Sequence, residues 1–400
     1  MNKENKNILL LIIRGQTTNL GNIIFDYANK LLIANLTVQS SFFMMLYQSS
    51  ESIVRLLFNL FAGYVADFSD RKRMLILTDV IAAIATFLLF LFYNPQNIWI
   101  LVVVNILLAI LFSFNGPAYK AIIKDLLSSD GIFTYNSISK IVAEIVGVGA
   151  PLASVFVIHQ FGFRYGMLIN SFSFIISALC EYRFHILHHH NTIQSKFFTG
   201  LKEGFTYLYE DKTLLTILIS SAFLNFLDAI YSFYLPFTAT FSQFHQIFAY
   251  ILVSQSIGSI IGALIISLNK KKIEPRYFLH FLLPGAVSLI LINLFQSSQI
   301  ILLILFSLFS TTVSMFNVNL MSHLQVSIDS NFLGRIFSII FTISGIFAPF
   351  GTMFASWIDF KNWQIFQYIG IVQLLIYIIS LLALNKSYQK VKSSSYAAQN

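Results

Sequence analysis

Gly63-Tyr64-Val65-Ala66-Asp67-Phe68-Ser69-Asp70-Arg71-Lys72-Arg73 closes one long apolar segment and opens the next, and its counterpart lies half a chain away. There Gly262 is again followed eight residues later by a basic triplet, Lys270-Lys271-Lys272, at an offset of 199 residues. A second match has nearly the same offset. Gly147-Val148-Gly149-Ala150-Pro151 and Gly345-Ile346-Phe347-Ala348-Pro349 stand 198 residues apart. Two independent matches at one offset indicate a duplicated chain. Duplicated sets of apolar segments, with midplane sites between them, are the sequence signature of secondary transporters.

Composition sets the solvent. Of 400 residues 56% are hydrophobic and only 10% charged, with a mean hydropathy of +0.74. A soluble domain carries about 25% charged residues, and so few could not cover a water-facing surface. A cytosolic enzyme is excluded, and 42 phenylalanines agree with a chain solvated mostly by lipid. A spanning helix takes roughly 20 apolar residues and a short connection perhaps ~10 more, so the chain accommodates about 12. Apolar segments centre near residues 22, 52, 84, 108, 148 and 174, and again near 225, 257, 287, 311, 346 and 374. The expected fold is an all-α membrane protein of 12 transmembrane helices in two pseudo-symmetric six-helix halves. The halves are residues 1–184 and 213–400, joined by a polar central loop at 185–212 with an amphipathic helix near 200–209. The run Ile8–Ile13 is too short for a signal peptide. Cys180, the single cysteine, excludes an intrachain disulfide.

Charge fixes the expected orientation. Twenty-one of the 25 Lys and Arg residues fall on alternate connections or near the termini, Lys3, Lys6 and Arg14 among them. The opposite side holds Arg164 and Lys361, while Lys30 and Arg55 fall within spans. By the positive-inside rule both termini and the central loop are cytoplasmic, in a multi-pass protein of the cell membrane. The net charge of +8 is thus a topology signal and not a nucleic-acid footprint.

The stretch 63–73 resembles the loop 2–3 signature of the major facilitator superfamily. It is most similar to the macrolide-efflux and enterobactin-exporter branch, where an Asp often stands at the position of Asp70. Gly15-Gln16 through Leu20-Gly21, Asn115-Gly116-Pro117-Ala118, Asn136-Ser137, Lys202-Glu203-Gly204-Phe205-Thr206-Tyr207-Leu208 and Gly334-Arg335 extend the resemblance along most of the chain. It departs from the family at Phe68, which replaces an Arg. Helix 4 has Asn105 and no membrane Arg, and residues 149–154 read Gly-Ala-Pro-Leu-Ala-Ser. The resemblance implies the major facilitator fold, usually monomeric, with export of macrolide-like or siderophore-like molecules. It also implies that Gly63, Asp67, Asp70, Arg71, Lys72 and Arg73 form a gating latch that holds the cytoplasmic side closed.

The residues themselves supply a mechanism for each expectation. Gly63 permits close helix approach, Asp67 can accept from a neighbouring helix start, and Arg71 can reach Asp125 or Asp130. The alternative is a plain basic turn. Gly147, Gly149 and Pro151, with Gly345, Pro349 and Gly351, bring small residues and a bend into mid-membrane, either as a sealing hinge or as ordinary close packing. A charge at a helix centre costs about 2.5–3.5 kcal/mol, so each needs a partner or a task. Glu51 and Arg55 share a face in the favourable acid-first order, about 18 Å above Gly63 and near the midplane. Asp26 and Lys30 form a similar pair on helix 1. For both acids the alternative to proton uptake is a permanent ion pair. Asp228, close to Asn225 on helix 7, has no basic residue nearby in its own helix and is the leading proton carrier. Glu144 has Lys140 one turn away, which favours structural pairing.

Other patterns carry less. His185-Ile186-Leu187-His188-His189-His190 reads as a solvated tract, with no metal centre expected, because the remaining histidines are scattered. No loop holds a phosphate cradle or a nucleophile with its base, so no cofactor and no enzymatic activity are expected. Tyr231, Phe233, Tyr234 and Phe237 could line a cavity, although most aromatics must face lipid or fill helix contacts. The reading is therefore a secondary active transporter exporting a small amphipathic organic molecule by proton antiport. Its partners are that substrate, protons and membrane lipids. An importer or uniporter of a small polar metabolite, or a lipid flippase, shares these features.

Overall fold

Hydrocarbon offers the backbone no hydrogen-bond partners, so a segment that lives there must satisfy its own N–H and C=O groups, and a helix does this internally. In the computed structural model the described residues form helices and no strands. Those residues are all but 1–2, 37, 69, 95–96, 188–208, 210–211, 269–273, 328–332, 359–360 and 398–400. Inside the helices the side chains of 59–69, 324–344, 385–397 and several single positions are not described either. The chain divides into two units, Met1–Ile193 and Gln194–Asn400.

The first unit holds α1 (Lys3–Ala34), α2 (Ser40–Phe68), α3 (Arg71–Leu91), α4 (Ile98–Leu126), α5 (Ser129–Phe161) and α6 (Arg164–Tyr182). Local chemistry sets several of these ends. Asp70 caps α3 by accepting from the Arg73 N–H at 3.1 Å, and the Ser128 hydroxyl caps α5 by accepting from Gly131 at 3.2 Å. Gly162 has φ +91°, a conformation that side chains rarely tolerate, which lets α5 turn into α6 within two residues. Leu10, Leu11, Leu75, Ala118, Ile122 and Leu126 are among the residues of a core joining α1, α3 and α4.

The second unit holds α7 (Lys212–Tyr234), α8 (Ile247–Leu268), a 3₁₀ turn Pro275–Phe281 leading into α9 (Leu282–Ile292), α10 (Gln299–Ser327), α11 (Leu333–Ile358) and α12 (Gln364–Ala397). Thr238–Phe241 adds a single helical turn. Its internal neighbours repeat those of the first unit. The pairs α1–α5, α1–α6, α2–α4, α3–α4 and α3–α6 recur as α7–α11, α7–α12, α8–α10, α9–α10 and α9–α12. Gln39 and Gln246 also share a left-handed backbone, φ 60° and 56°, directly before α2 and α8. The duplication read from two short motifs thus extends to helix neighbours and to a capping conformation.

Among the described residues eight helices are long and apolar enough to cross a membrane, and Tyr277–Ile292 and Gly345–Ile358 are shorter apolar ones. Their outer faces are apolar, with Ile84, Leu91, Ile145, Phe156, Leu264, Phe350 and Trp357 all exposed. A water-soluble surface does not carry such a density of large apolar side chains. A groove of about 510 Å³ between α3 and α6 has the same character, lined by Val80, Ile84, Phe87, Phe172, Ile175 and Leu179.

Several close helix approaches fall at glycine. A Cβ at Gly262 on α8 would collide with the Thr311 carbonyl of α10 and meet Ser314 at 3.0 Å, whereas one at Gly149 on α5 would meet nothing within 4 Å. Gly262→Ala should therefore overpack α8 against α10 at a cost of about 1–3 kcal/mol, while Gly149→Ala should be neutral or gain up to about 1 kcal/mol of helix propensity. Thermal unfolding of the purified variants in detergent checks this. Equal midpoints would show that the α8–α10 approach is not constrained at Gly262.

Candidate functional site

At the end of the first unit where α1 begins, five helices are tied by polar contacts. Arg71 opens α3 and grips both carboxylate oxygens of Asp125, at the end of α4, at 3.1 and 2.9 Å. Of the two acids within its expected reach, Asp125 is thus a partner, and the Asp130 side chain lies outside the described residues. Lys72 donates to the Phe184 carbonyl beyond α6 at 2.9 Å. Asn7 on α1 clamps the same segment, accepting from the His185 N–H at 3.0 Å and donating to the His185 carbonyl at 2.7 Å and to that of Leu126 at 3.0 Å. Glu4 accepts from the N–H of Ser128 at 2.7 Å, and so seats the start of α5. Asp70 and Arg73 stand apart from this ring. They pair with each other at 3.1 Å on an exposed surface, where Asp70 caps its own helix. Gly63 and Asp67 lie on α2, and their surroundings fall outside the described residues, as do His188, His189, His190 and the expected helix at 200–209.

Deeper in the same unit lies a constellation that the sequence reading did not assemble. Arg14 was grouped there with the terminal basic residues. It is instead a buried member of α1, 6% exposed, about 16 Å along the helix from Lys3. Its Nε donates to Glu181 on α6 at 2.9 Å, and its Nη2 donates to Asn115 on α4 at 2.6 Å and lies 3.6 Å from Asp79 on α3. The guanidinium also sits over the Tyr119 ring, 4.1 Å from its centroid. Asn115 in turn donates to Asp79 at 2.9 Å and to Thr78 at 2.8 Å, and the Ser177 hydroxyl donates to Asp79. The available signal was Asp79 and Glu181 themselves, two acids inside apolar helices. Pairing by i,i+4 spacing cannot find partners that arrive from three other helices.

The expected charges on α1 and α2 close as pairs, Lys30 on Asp26 at 2.8 Å and Arg55 on Glu51. Tyr47 of α2 donates to Asp26 at 3.2 Å, and Asn105 of α4 donates to the Tyr47 carbonyl at 2.8 Å. Asn105 of α4 thereby holds α2. On α7, Asp228 is exposed and Asn225 half-buried one turn away; no ion pair to Asp228 occurs among the described residues. Glu144 lies on α5, with its side chain outside the described residues.

The small-residue motifs occupy α5 and α11, with Pro151 and Pro349 carried inside continuous helices. A Cβ at Gly149 or Gly345 would meet nothing within 4 Å, while one at Gly351 would strike the Phe226 carbonyl of α7. Gly147 is on the face of α5 shared with Pro151. Tyr231, Phe233, Tyr234 and Phe237 fill helix contacts within the second unit. All are buried, with Tyr231 packed against Phe309 at 4.9 Å and against Phe306 and Phe366.

The sequence model of the Major Facilitator Superfamily matches residues 17–352. Macrolide efflux protein A of Streptococcus pyogenes is 22% identical over 321 residues, which covers 75% of this chain and 78% of that protein. Among solved structures, the nucleoside transporter NupG has a TM-score of 0.71 at 15% identity, over 96% of this chain and 99% of the other. A bacterial homolog of the human lysosomal transporter Spinster, in an inward-facing and unoccupied conformation, has a TM-score of 0.74 at 11% identity, over 96% and 98%. At these identities the two structures speak to the fold.

The ring around Arg71 makes a measurable claim. Arg71→Met strands the largely buried Asp125 carboxylate and should cost about 3–5 kcal/mol. Arg73→Met removes an exposed pair and should cost under about 1 kcal/mol. Chemical or thermal unfolding of both variants compares them, and similar losses would show that the grip on Asp125 does not organise this end of the unit.

Proposed function

The chain belongs to the Major Facilitator Superfamily, and we propose that it exports small amphipathic organic molecules across the cell membrane in exchange for protons. That it is a membrane transporter and not an enzyme follows from the family. The export reading is carried by the match to macrolide efflux protein A over three-quarters of both chains. In this reading the chain spans the membrane twelve times with both termini in the cytoplasm, and acts as a monomer by alternating access.

The side chains then take distinct tasks. Arg71 and Asp125 are the latch, fixing the cytoplasmic ends of α3 and α4 in one of the carrier's states. Such a latch must open at a cost of a few kcal/mol, or the equilibrium between states could not be shifted by cargo. Asp26 with Lys30, and Glu51 with Arg55, give the cargo path both signs of charge, which suits a polar-rimmed or zwitterionic molecule. Asp228 carries the exchanged proton, because it has no ion pair among the described residues and such an acid on a membrane helix gains most from taking one up.

Cells making the protein should accumulate less of at least one macrolide or dye from a panel, and a protonophore should abolish the difference. Asp228→Asn should restore accumulation to that of cells lacking the protein, at equal amounts of protein in the membrane. An unchanged panel would overturn the broad export reading. Efflux that survives in Asp228→Asn but not with the protonophore would remove Asp228 alone.

A further inference from the structure

Three ionisable side chains from three helices meet inside the first unit: Arg14 of α1, Asp79 of α3 and Glu181 of α6, which are 6%, 1% and 0% exposed. With all three ionised the cluster carries one net negative charge away from water, which a protein sustains only by pairing or neutralising it. The donors are already counted. Asp79 accepts from Asn115 and Ser177 and lies beside Arg14, while Glu181 Oε1 accepts from Arg14. Glu181 Oε2 is buried with no donor among the described residues. Both carboxyl groups face the one guanidinium, Glu181 at Nε and 2.9 Å and Asp79 at Nη2 and 3.6 Å.

Two carboxylates are acceptors only and cannot bond each other, whereas a carboxylic acid donates to a carboxylate. A single proton on the pair meets two conditions at once. It cancels the excess charge, and it occupies the oxygen left without a partner. The other titratable groups facing the cluster are the Tyr119 hydroxyl of α4, which is shared with Tyr135 of α5 at 2.8 Å, the Cys180 thiol, and Arg183 past the end of α6, acting on Cys180. None of them donates to Glu181 Oε2.

We propose that Asp79 and Glu181 form a proton-binding site that holds one proton between them, with Arg14 as its fixed counter-charge. Release of that proton leaves two carboxylates sharing one guanidinium where α3 and α6 meet α1. The same interface is tied further along by the Ser171 hydroxyl donating to the Ala83 carbonyl at 2.8 Å. Because α3 begins at Arg71, about 12 Å from Asp79 along the helix, occupancy of the site biases the packing of the helix that also carries the latch. The site concerns proton binding by the chain itself and stands whether or not cargo leaves by the export route.

Infrared spectroscopy of the full chain in lipid nanodiscs, in sodium-free buffer at neutral pH, tests this without any cargo. The wild type should show a protonated-carboxyl C=O band that shifts in D₂O and shifts again when glutamate is carbon-13 labelled. Glu181→Gln should remove the band, since the amide keeps the shape and volume of the acid without its titratable proton. Asp79→Asn should remove it as well, leaving Glu181 ionised against Arg14. A wild type with no such band, a band indifferent to the glutamate label, or one that persists in both variants would overturn the site. So would a band that disappears on adding sodium, which would make the occupant a metal cation. Should neither variant reach the membrane, the labelled wild type decides alone.

Discussion

A guanidinium cannot shed its charge inside a protein, so burying Arg14 within α1 commits everything around it. Its partners come from α3, α4 and α6; one side chain therefore sets the register of three neighbouring helices against α1. Withdrawing both acids would leave its buried charge unanswered, which is among the costliest changes a fold can suffer. The polar ring around Asn7, Arg71 and Asp125 lies about two to three turns beyond on the same helices, and inherits its geometry from that registration.

The helix plan was legible because lipid imposes it. Apolar runs of spanning length, basic residues on alternate connections, and the paired motifs at 63–73 and 262–272 all report backbone constraints that are local in sequence. The contacts that specify chemistry are not local. Glu51 with Arg55 and Asp26 with Lys30 could be paired by i,i+4 spacing. Arg14 reaches a residue 167 positions away, and no periodicity carries that information. Grouping Arg14 with Lys3 and Lys6 followed from counting charges by proximity to the terminus. A depth estimate along α1 would have separated it from them.

Aromatic residues mark a similar boundary. Composition assigns 42 phenylalanines to lipid contact or helix contact without saying which is which. Phe156 and Phe350 face outward, while Phe306 and Phe366 join Tyr231 in a buried cluster. Their apolar bodies serve either solvent equally well, because hydrocarbon and a protein core differ little in polarity. Only packing distinguishes them, and packing is decided by helix neighbours.

The duplication makes that point within one chain. Helix neighbours recur in both units, so the repeated frame has been kept, yet the chemistry placed on it has diverged. The position 199 residues beyond Asp79 is Phe278 and that beyond Glu181 is Ser380. Phe278 is buried in an apolar core with Leu279, Leu282 and Phe316, and Ser380 shares a 2.7 Å hydrogen bond with Ser220. Where the first unit spends a buried ion cluster to join its first, third and sixth helices, the second joins the equivalent helices with hydrocarbon and a neutral hydroxyl pair. Buried charge is rarely the more stable of those two solutions. Among the described residues the second unit shows no such cluster, and its presence in the first, with one Glu181 oxygen left without a donor, is what the proposed proton site requires.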